Sequence, residues 1–163
     1  MKIKLLFVFF LAAFTLSAQT AAEMDLLLET NELTTAKAAR FVLGALEMLP
    51  EALAGNAAEM EAYSLAQSNG WVKSSADSSI TLRELSFLMV KAFDIKGGLM
   101  YSLAKNPRYA YRELKYQKII QGRSDPAMKV SGRRFLQILD RALVYAGISE
   151  GPDAAIQTGG GVN

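Results

Sequence analysis

The stretch Ile80-Thr81-Leu82-Arg83-Glu84-Leu85, running on to Leu88-Met89-Val90-Lys91-Ala92-Phe93, decides how this chain is read. An apolar residue is followed by a hydroxyl and then by a helical pattern. Thr81 has the chemistry of an N-cap, because its oxygen can accept a bond from an otherwise orphaned amide of the first turn. Glu84, three places on, completes a capping box. Leu85, Leu88, Met89, Ala92 and Phe93 then follow the i, i+3, i+4, i+7, i+8 spacing that lines one face of an α-helix.

The same pattern occurs on either side. Leu33-Thr34-Thr35-Ala36-Lys37-Ala38 lies upstream and Val130-Ser131-Gly132-Arg133-Arg134-Phe135 downstream, with the hydroxyl residues Thr34, Thr81 and Ser131 separated by 47 and 50 residues. The first segment continues with Ala38, Phe41, Val42, Ala45 and Leu46, and the third with Phe135, Ile138, Leu139, Ala142 and Leu143. Self-similarity at such a period is the mark of a repeat architecture. Pro50, Gly97-Gly98 and Gly147 supply the helix stops. Shorter helices precede the second and third long ones. One runs from Ala57 to Ser68, capped by Asn56 with Glu59 as box partner, burying Ala62, Leu65 and Ala66 and ending at Asn69-Gly70. The other opens at Asn106-Pro107, with proline at the first helical position, and reaches about Gln117. Trp71-Val72 and Ile119-Ile120 occupy matching places after them, and Leu99 to Ala104 adds a helical turn. The first repeat is expected to lack its short helix, because the chain there is still signal sequence. The repeats span about 24–50, 56–96 and 106–147. One repeat cannot hide its apolar face, so the three are expected to share a core, giving an all-α domain over 19–150.

Composition narrows the chemistry. The chain has 163 residues, about half of them apolar, enough for one domain with a real core. It contains no cysteine and no histidine, which excludes disulfides, thiolate or imidazole metal ligation, and Ser-His or Cys-His nucleophiles. No metal and no cofactor is expected. Residues 1–18 read as a signal peptide: Lys2 and Lys4, an uncharged run from Leu5 to Leu16, then Ser17-Ala18 as the cleavage site. The run is shorter than the roughly 20 residues a membrane span needs, and no cysteine follows it to carry lipid. The protein is expected in the periplasm or cell envelope, with no membrane span after cleavage. The tail 151–163, with Gly159-Gly160-Gly161, is expected to be disordered. From Gln19 to Leu82 nine acidic residues face three basic ones, and from Arg83 onward thirteen basic face seven acidic. Either the second half attracts an anionic partner or the two halves attract each other.

These repeats resemble the S-layer homology family. In that family a short helix leads through a GI(I/V)xG…DG loop into a (I/V)TRAEF…L.RAL helix. Ile80 to Leu85 and Leu88 to Phe93 resemble the helix, Lys118-Ile119-Ile120-Gln121-Gly122-Arg123-Ser124-Asp125 the loop, and Arg141-Ala142-Leu143 the helix end. Pro107-Arg108-Tyr109-Ala110-Tyr111 stands where the family often opens its short helix with aromatics. The resemblance covers roughly Thr30 to Ala146. It implies a pseudo-threefold bundle of three helix-loop-helix repeats, and a non-catalytic role in gripping wall-linked anionic polysaccharide or peptidoglycan. The family's basic residue after the cap is missing here. Those slots hold Thr35, Leu82 and Gly132, while Arg83 and Arg133 come one place later and Lys37 and Arg134 two. A one-residue shift turns a helical side chain by about 100°.

Arg83, Arg133, Arg134, Arg123, Lys37 and Trp71 are the candidate ligand contacts. Arginines at a helix start can add bidentate forks to the free amides and positive dipole end there. The plainer reading is solvated arginines paired with Glu84, Asp125 or Asp140. Trp71, Tyr109 and Tyr111 are either sugar platforms or core residues with a wet tip. Met48, Met60, Met89 and Met100 read as core filler. Glycoside cleavage needs two carboxyls facing one bond, and Glu59 with Glu61, two apart on a helix, diverge; Asp125 with Glu113 is the other conceivable pair. The export signal opposes a nucleic-acid partner. The second functional reading is an envelope scaffold or accessory subunit that docks another envelope protein.

Overall fold

The structure, a computed structural model, describes residues 22–96 and 106–149. The leader, the Gly97-Gly98 stop, the turn at Leu99 to Ala104 with Met100, and the tail from Gly151 lie outside the described residues. Six helical segments appear among the described residues: α1 (22–29), α2 (Thr35–Gly44), α3 (Gly55–Ser68), α4 (Leu82–Ala92), α5 (Pro107–Tyr116) and α6 (Gly132–Tyr145). β-pairing there is limited to two isolated antiparallel bridges, Thr34 with Ser79 and Thr81 with Lys129. The protein is all-α.

The three hydroxyl caps form as the sequence requires. Thr34, Thr81 and Ser131 accept from the amides of Lys37, Glu84 and Arg134. Only Thr81 has the full box, with Glu84 reaching back to the Thr81 amide at 3.1 Å. Asn106 caps α5 through two amides, ahead of Pro107. Asn56 does not cap α3. That helix starts at Gly55 after Ala54, with no side-chain cap, and Glu59 faces Lys37 instead. Pro50 does not end α2 either, since the helix has already stopped at Gly44.

What stops α2 also stops its neighbours. Glu47, Gly70, Asp94, Lys118 and Gly147 all have positive φ. Behind each, the following amide reaches back to a carbonyl five residues upstream, as Met48 to Leu43, Trp71 to Ala66, Ile95 to Val90, Ile119 to Leu114 and Ile148 to Leu143. This is the Schellman closure of a helix end. Two of these positions are glycine, and three carry side chains that the left-handed conformation disfavours.

The caps converge through the residue in front of them. The Leu33 amide donates to the Val130 carbonyl at 2.8 Å, Val130 to Ile80 at 3.2 Å, and Ile80 back to Leu33 at 2.8 Å. The three bonds close a ring, and all three side chains are fully buried. A second set lies beside it: the first helical amides of α2, α4 and α6, on Thr35, Leu82 and Gly132, donate to Ser78, Met128 and Thr30, each at 2.9 Å. Each long helix is thus docked by its N-terminus onto a loop of another repeat.

Around this ring the apolar faces merge into one core. Ala38, Val42, Leu85, Leu88, Met89, Phe93, Phe135, Ile138, Leu139 and Ala142 are all buried in a single cluster. Phe41, Ala45, Leu46, Ala92 and Leu143 are half-buried at its margin. Phe41 meets Phe135 edge-on at 6.1 Å between ring centres. In the shorter helices, Ala62, Ala66, Ala110, Tyr111 and Leu114 join the cluster. α3 packs on α2 and α5 on α4, while α2 also touches α4. Met89 is core, but Met48 and Met60 are exposed, so they fill no gap. Their places on a late turn and an outer helix face put them beyond the apolar stripe.

The expectation that the first repeat lacks a short helix is overturned by α1. Its Leu27 is buried in the common core, and Thr30 closes its end by donating to the Leu26 carbonyl at 2.8 Å. The reason is tertiary: Gly132 at the start of α6 lies against the Leu27 backbone so closely that a Cβ there would overlap the Leu27 carbonyl. Only glycine can occupy that slot. Replacing it, Gly132→Ala, should therefore destabilise by about 3 kcal/mol or more in chemical denaturation, the upper end of overpacking effects. Gly44→Ala, whose Cβ would meet nothing within 4 Å, should be neutral or mildly stabilising in the same assay. Lys118→Gly, which removes a side chain from the left-handed region, should stabilise by about 1 kcal/mol.

Candidate functional site

Each long helix begins beside a groove, and the basic residues gather there. The first groove encloses about 420 Å³ between the loop after α3, the start of α4 and the start of α5. Trp71, Val72 and Lys73 line it from the loop, Arg83, Glu84 and Phe87 from α4, and Asn106, Pro107 and Arg108 from α5. The second, about 360 Å³, holds Gln121, Gly122, Arg123, Ser131, Arg133, Arg134 and Gln137. The third, about 180 Å³, lies between α1, α2 and α3 and holds Lys37, Arg40, Phe41, Glu23 and Glu59.

The structure brings Trp71 and Arg83 together in one groove, and Arg123, Arg133 and Arg134 in another. Lys37 stands apart in the third. The family slot for a basic residue is unusable here. Thr35, Leu82 and Gly132 are buried, because their amides point into the neighbouring loop. The shift to Arg83 and Arg133 moves the charge out of that contact and onto the exposed side of the helix.

The starts of α4 and α2 do not themselves offer anion-binding amides. In α4 the amides of Leu82, Arg83 and Glu84 are already bonded to Met128, Pro126 and Thr81. In α2 those of Thr35, Ala36 and Lys37 are bonded to Ser78, Ala76 and Thr34. Any hold on an anion at these two starts comes from side chains, against an orientation of the helix dipole that leaves the cations unrelieved.

Those side chains differ in availability. The Arg83 guanidinium, Lys73 and Arg108 have no hydrogen-bond or ion-pair partner among the described residues, and all three are exposed. Arg133 and Arg123 are likewise unpaired and exposed through their side chains. Arg134 is engaged: it donates to the Arg123 carbonyl at 2.7 Å and to the Met128 sulfur, so it holds the preceding loop in place. Lys37 lies 3.8 Å from Glu59, and Arg40 donates to Glu23 at 2.6 Å. Both ion pairs among the described residues thus fall in the acidic half of the sequence. No described ion pair joins the two halves, and Asp140 and Asp125 do not pair with the helix-start arginines. Asp125 instead accepts from the Ala127 amide at 2.7 Å, tightening its own turn.

Trp71 is half-buried, packed on the core along one side and lining the groove. Tyr111 is a core residue, and Tyr109 packs at the core margin under the Arg112 guanidinium. Sequence reasoning missed Lys73, Phe87 and Arg108. Arg108 was visible within the Pro107-Arg108-Tyr109 opening. The approach of three separate segments to one cavity left no local signal. The imagined carboxylate pairs are not assembled: Glu59 faces Lys37, and Glu113 accepts from Gln117 at 2.9 Å. Among the described residues no cluster of acidic side chains is placed to hold a metal, and no helix is long and apolar enough to cross a membrane.

Glu84 is the one acidic residue lining the first groove, and its oxygens are occupied. Its carboxylate accepts from the Ser74 hydroxyl, the Thr81 hydroxyl and the Thr81 amide. Partial burial pushes its pKa up, but these hydrogen bonds, with the nearby Lys129 charge, outweigh that and lower it. Glu84 thereby fastens the loop bearing Trp71 and Lys73 to the helix bearing Arg83 and Phe87.

No protein-family model, curated protein or solved structure matches this chain.

A carboxylate with a lowered pKa stabilises the fold above its unfolded pKa and loses that contribution as pH falls through the folded value. Glu84→Gln should therefore destabilise by about 1 kcal/mol at neutral pH, the usual size of a cap. The gap to the unmodified protein should close as pH drops below the ordinary carboxylate range, followed by urea midpoints between pH 7 and pH 3.

Proposed function

We propose that this is a non-catalytic, exported cell-envelope module of three S-layer-homology-like repeats in a pseudo-threefold bundle, which binds wall-linked anionic polysaccharide or peptidoglycan through the grooves between repeats. The arrangement is supported by the closed ring of Leu33, Ile80 and Val130 and by the matching docking bonds of the three long helices. Export rests on the sequence of residues 1–18. The observation that carries the binding reading is the first groove: three cations without a hydrogen-bond or ion-pair partner among the described residues, Lys73, Arg83 and Arg108, converge beside the half-buried Trp71 side chain. Three cations outnumber the one Glu84 carboxylate in the groove and so attract an anionic partner, and an aromatic surface suits the apolar face of a sugar ring. Arg83 stands one residue beyond the family's basic slot, so the groove is approached from a different angle than the family motif implies.

Purified protein should co-sediment with cell-wall sacculi, with a bound fraction that falls as salt is raised, because the contacts are exposed charges. Arg83→Ala, which removes one of the three cations of the first groove, should reduce binding by about tenfold. Absence of sedimentation, with one dominant protein captured by cross-linking in the envelope, would replace this reading with that of an accessory subunit.

A further inference from the structure

We infer that the three grooves are not equivalent, and that a single ligand, a saccharide carrying several anionic groups, seats in the Trp71–Arg83–Arg108 groove alone. The inference rests on the glycan-binding reading above and assigns its stoichiometry and its site.

The third groove is neutralised from within. Its two cations, Lys37 and Arg40, face Glu59 at 3.8 Å and Glu23 at 2.6 Å, both supplied by flanking helices. An incoming anion would have to displace a carboxylate from Arg40 and leave that carboxylate unpaired, so the exchange yields little. The groove is also the smallest of the three, about 180 Å³. The second groove has no aromatic side chain in its lining, and Arg134 is committed to the Arg123 carbonyl and the Met128 sulfur. Only Arg123 and Arg133 remain there, with no surface on which a sugar ring can stack.

The first groove differs on each count. Its cations come from three separate pieces of chain: Lys73 from the loop after α3, Arg83 from α4 and Arg108 from α5. None has a partner among the described residues. The acid beside them, Glu84, has its oxygens held by Ser74 and Thr81. Three cations against the one Glu84 carboxylate leave an excess of positive charge around the cavity, and one small anion offsets only part of it. A ligand with several anionic groups along a chain of sugar rings answers more of it, while the half-buried Trp71 offers its face to a ring. Such a ligand ties the second repeat to the third, so its binding also stabilises the fold.

The test uses oligogalacturonate as a carboxylated saccharide, its methyl ester as the neutral counterpart, and sacculi in parallel. Calorimetry should give one oligogalacturonate per protein and at least tenfold weaker binding of the ester. Arg83→Gln and Trp71→Leu should each weaken binding about tenfold, on the oligosaccharide and on sacculi alike. Lys37→Gln and Arg133→Gln should stay within twofold of the unmodified protein. A stoichiometry of two or three, or an Arg133→Gln loss as large as that of Arg83→Gln, would overturn the single-groove inference and leave envelope binding intact. Sacculus binding without any oligogalacturonate binding would overturn the ligand class. Failure of the unmodified protein to bind sacculi would remove the functional reading itself.

Discussion

Three backbone hydrogen bonds at the centre of the molecule, linking Leu33, Ile80 and Val130 in a closed ring, hold the whole arrangement in register. Each of these residues is fully buried and sits immediately before a hydroxyl cap. Buried peptide groups must find partners, because an unpaired one forfeits its bonds to water without replacement. In a helical protein the residues outside the helices carry most of that burden. Here one residue from each repeat satisfies the next, so no repeat can fold its entry loop correctly without the other two. The neighbouring bonds from Thr35, Leu82 and Gly132 extend the same interdependence to the helix starts.

This constraint explains features that look unrelated. Thr35, Leu82 and Gly132 occupy equivalent positions yet share no chemistry. They share a location, pressed against the loop of another repeat, where a charged side chain would be stranded. Gly132 is the extreme case, because the Leu27 backbone of α1 lies directly over it. In α4 and α6 the next helical position holds a cation, Arg83 or Arg133, that reaches solvent, whereas after Thr35 it holds the buried Ala36. The grooves are therefore a by-product of how the helices dock.

The grooves differ because matching positions in the three long helices hold different residues. At the third helical position the first repeat has Lys37, the second Glu84 and the third Arg134. Lys37 faces a glutamate on α3, Glu84 fastens its own loop through Ser74, and Arg134 fastens its loop through the Arg123 carbonyl. Two of the three residues thus perform the same mechanical task with opposite charge. In one case the acceptor is a carboxylate and the donor a loop hydroxyl; in the other the donor is a guanidinium and the acceptor a loop carbonyl. With those groups engaged, the free charge of each groove is set by its neighbours.

The sequence by itself determined the helices, their caps and their buried faces, because these depend on residues three and four apart and on side chains bonding to nearby amides. The capping box of Ile80 to Phe93 and most of its buried face were legible, and the recurrence at Thr34 and Ser131 was enough to predict a shared core. The α1 segment was not legible, because its stability comes from Leu27 packing beneath the start of α6, more than a hundred residues away. Nor was the early stop of α2, where Glu47 adopts a conformation that local preference opposes and the end of the helix imposes. The candidate site divides in the same way. Arg83 and Trp71 could be picked by type and position, whereas the meeting of the Trp71–Lys73 loop, the start of α4 and Arg108 of α5 came only through folding. Whether a cation is free depends on which carboxylates come within reach of it, and long-range distances of that kind are settled by packing alone.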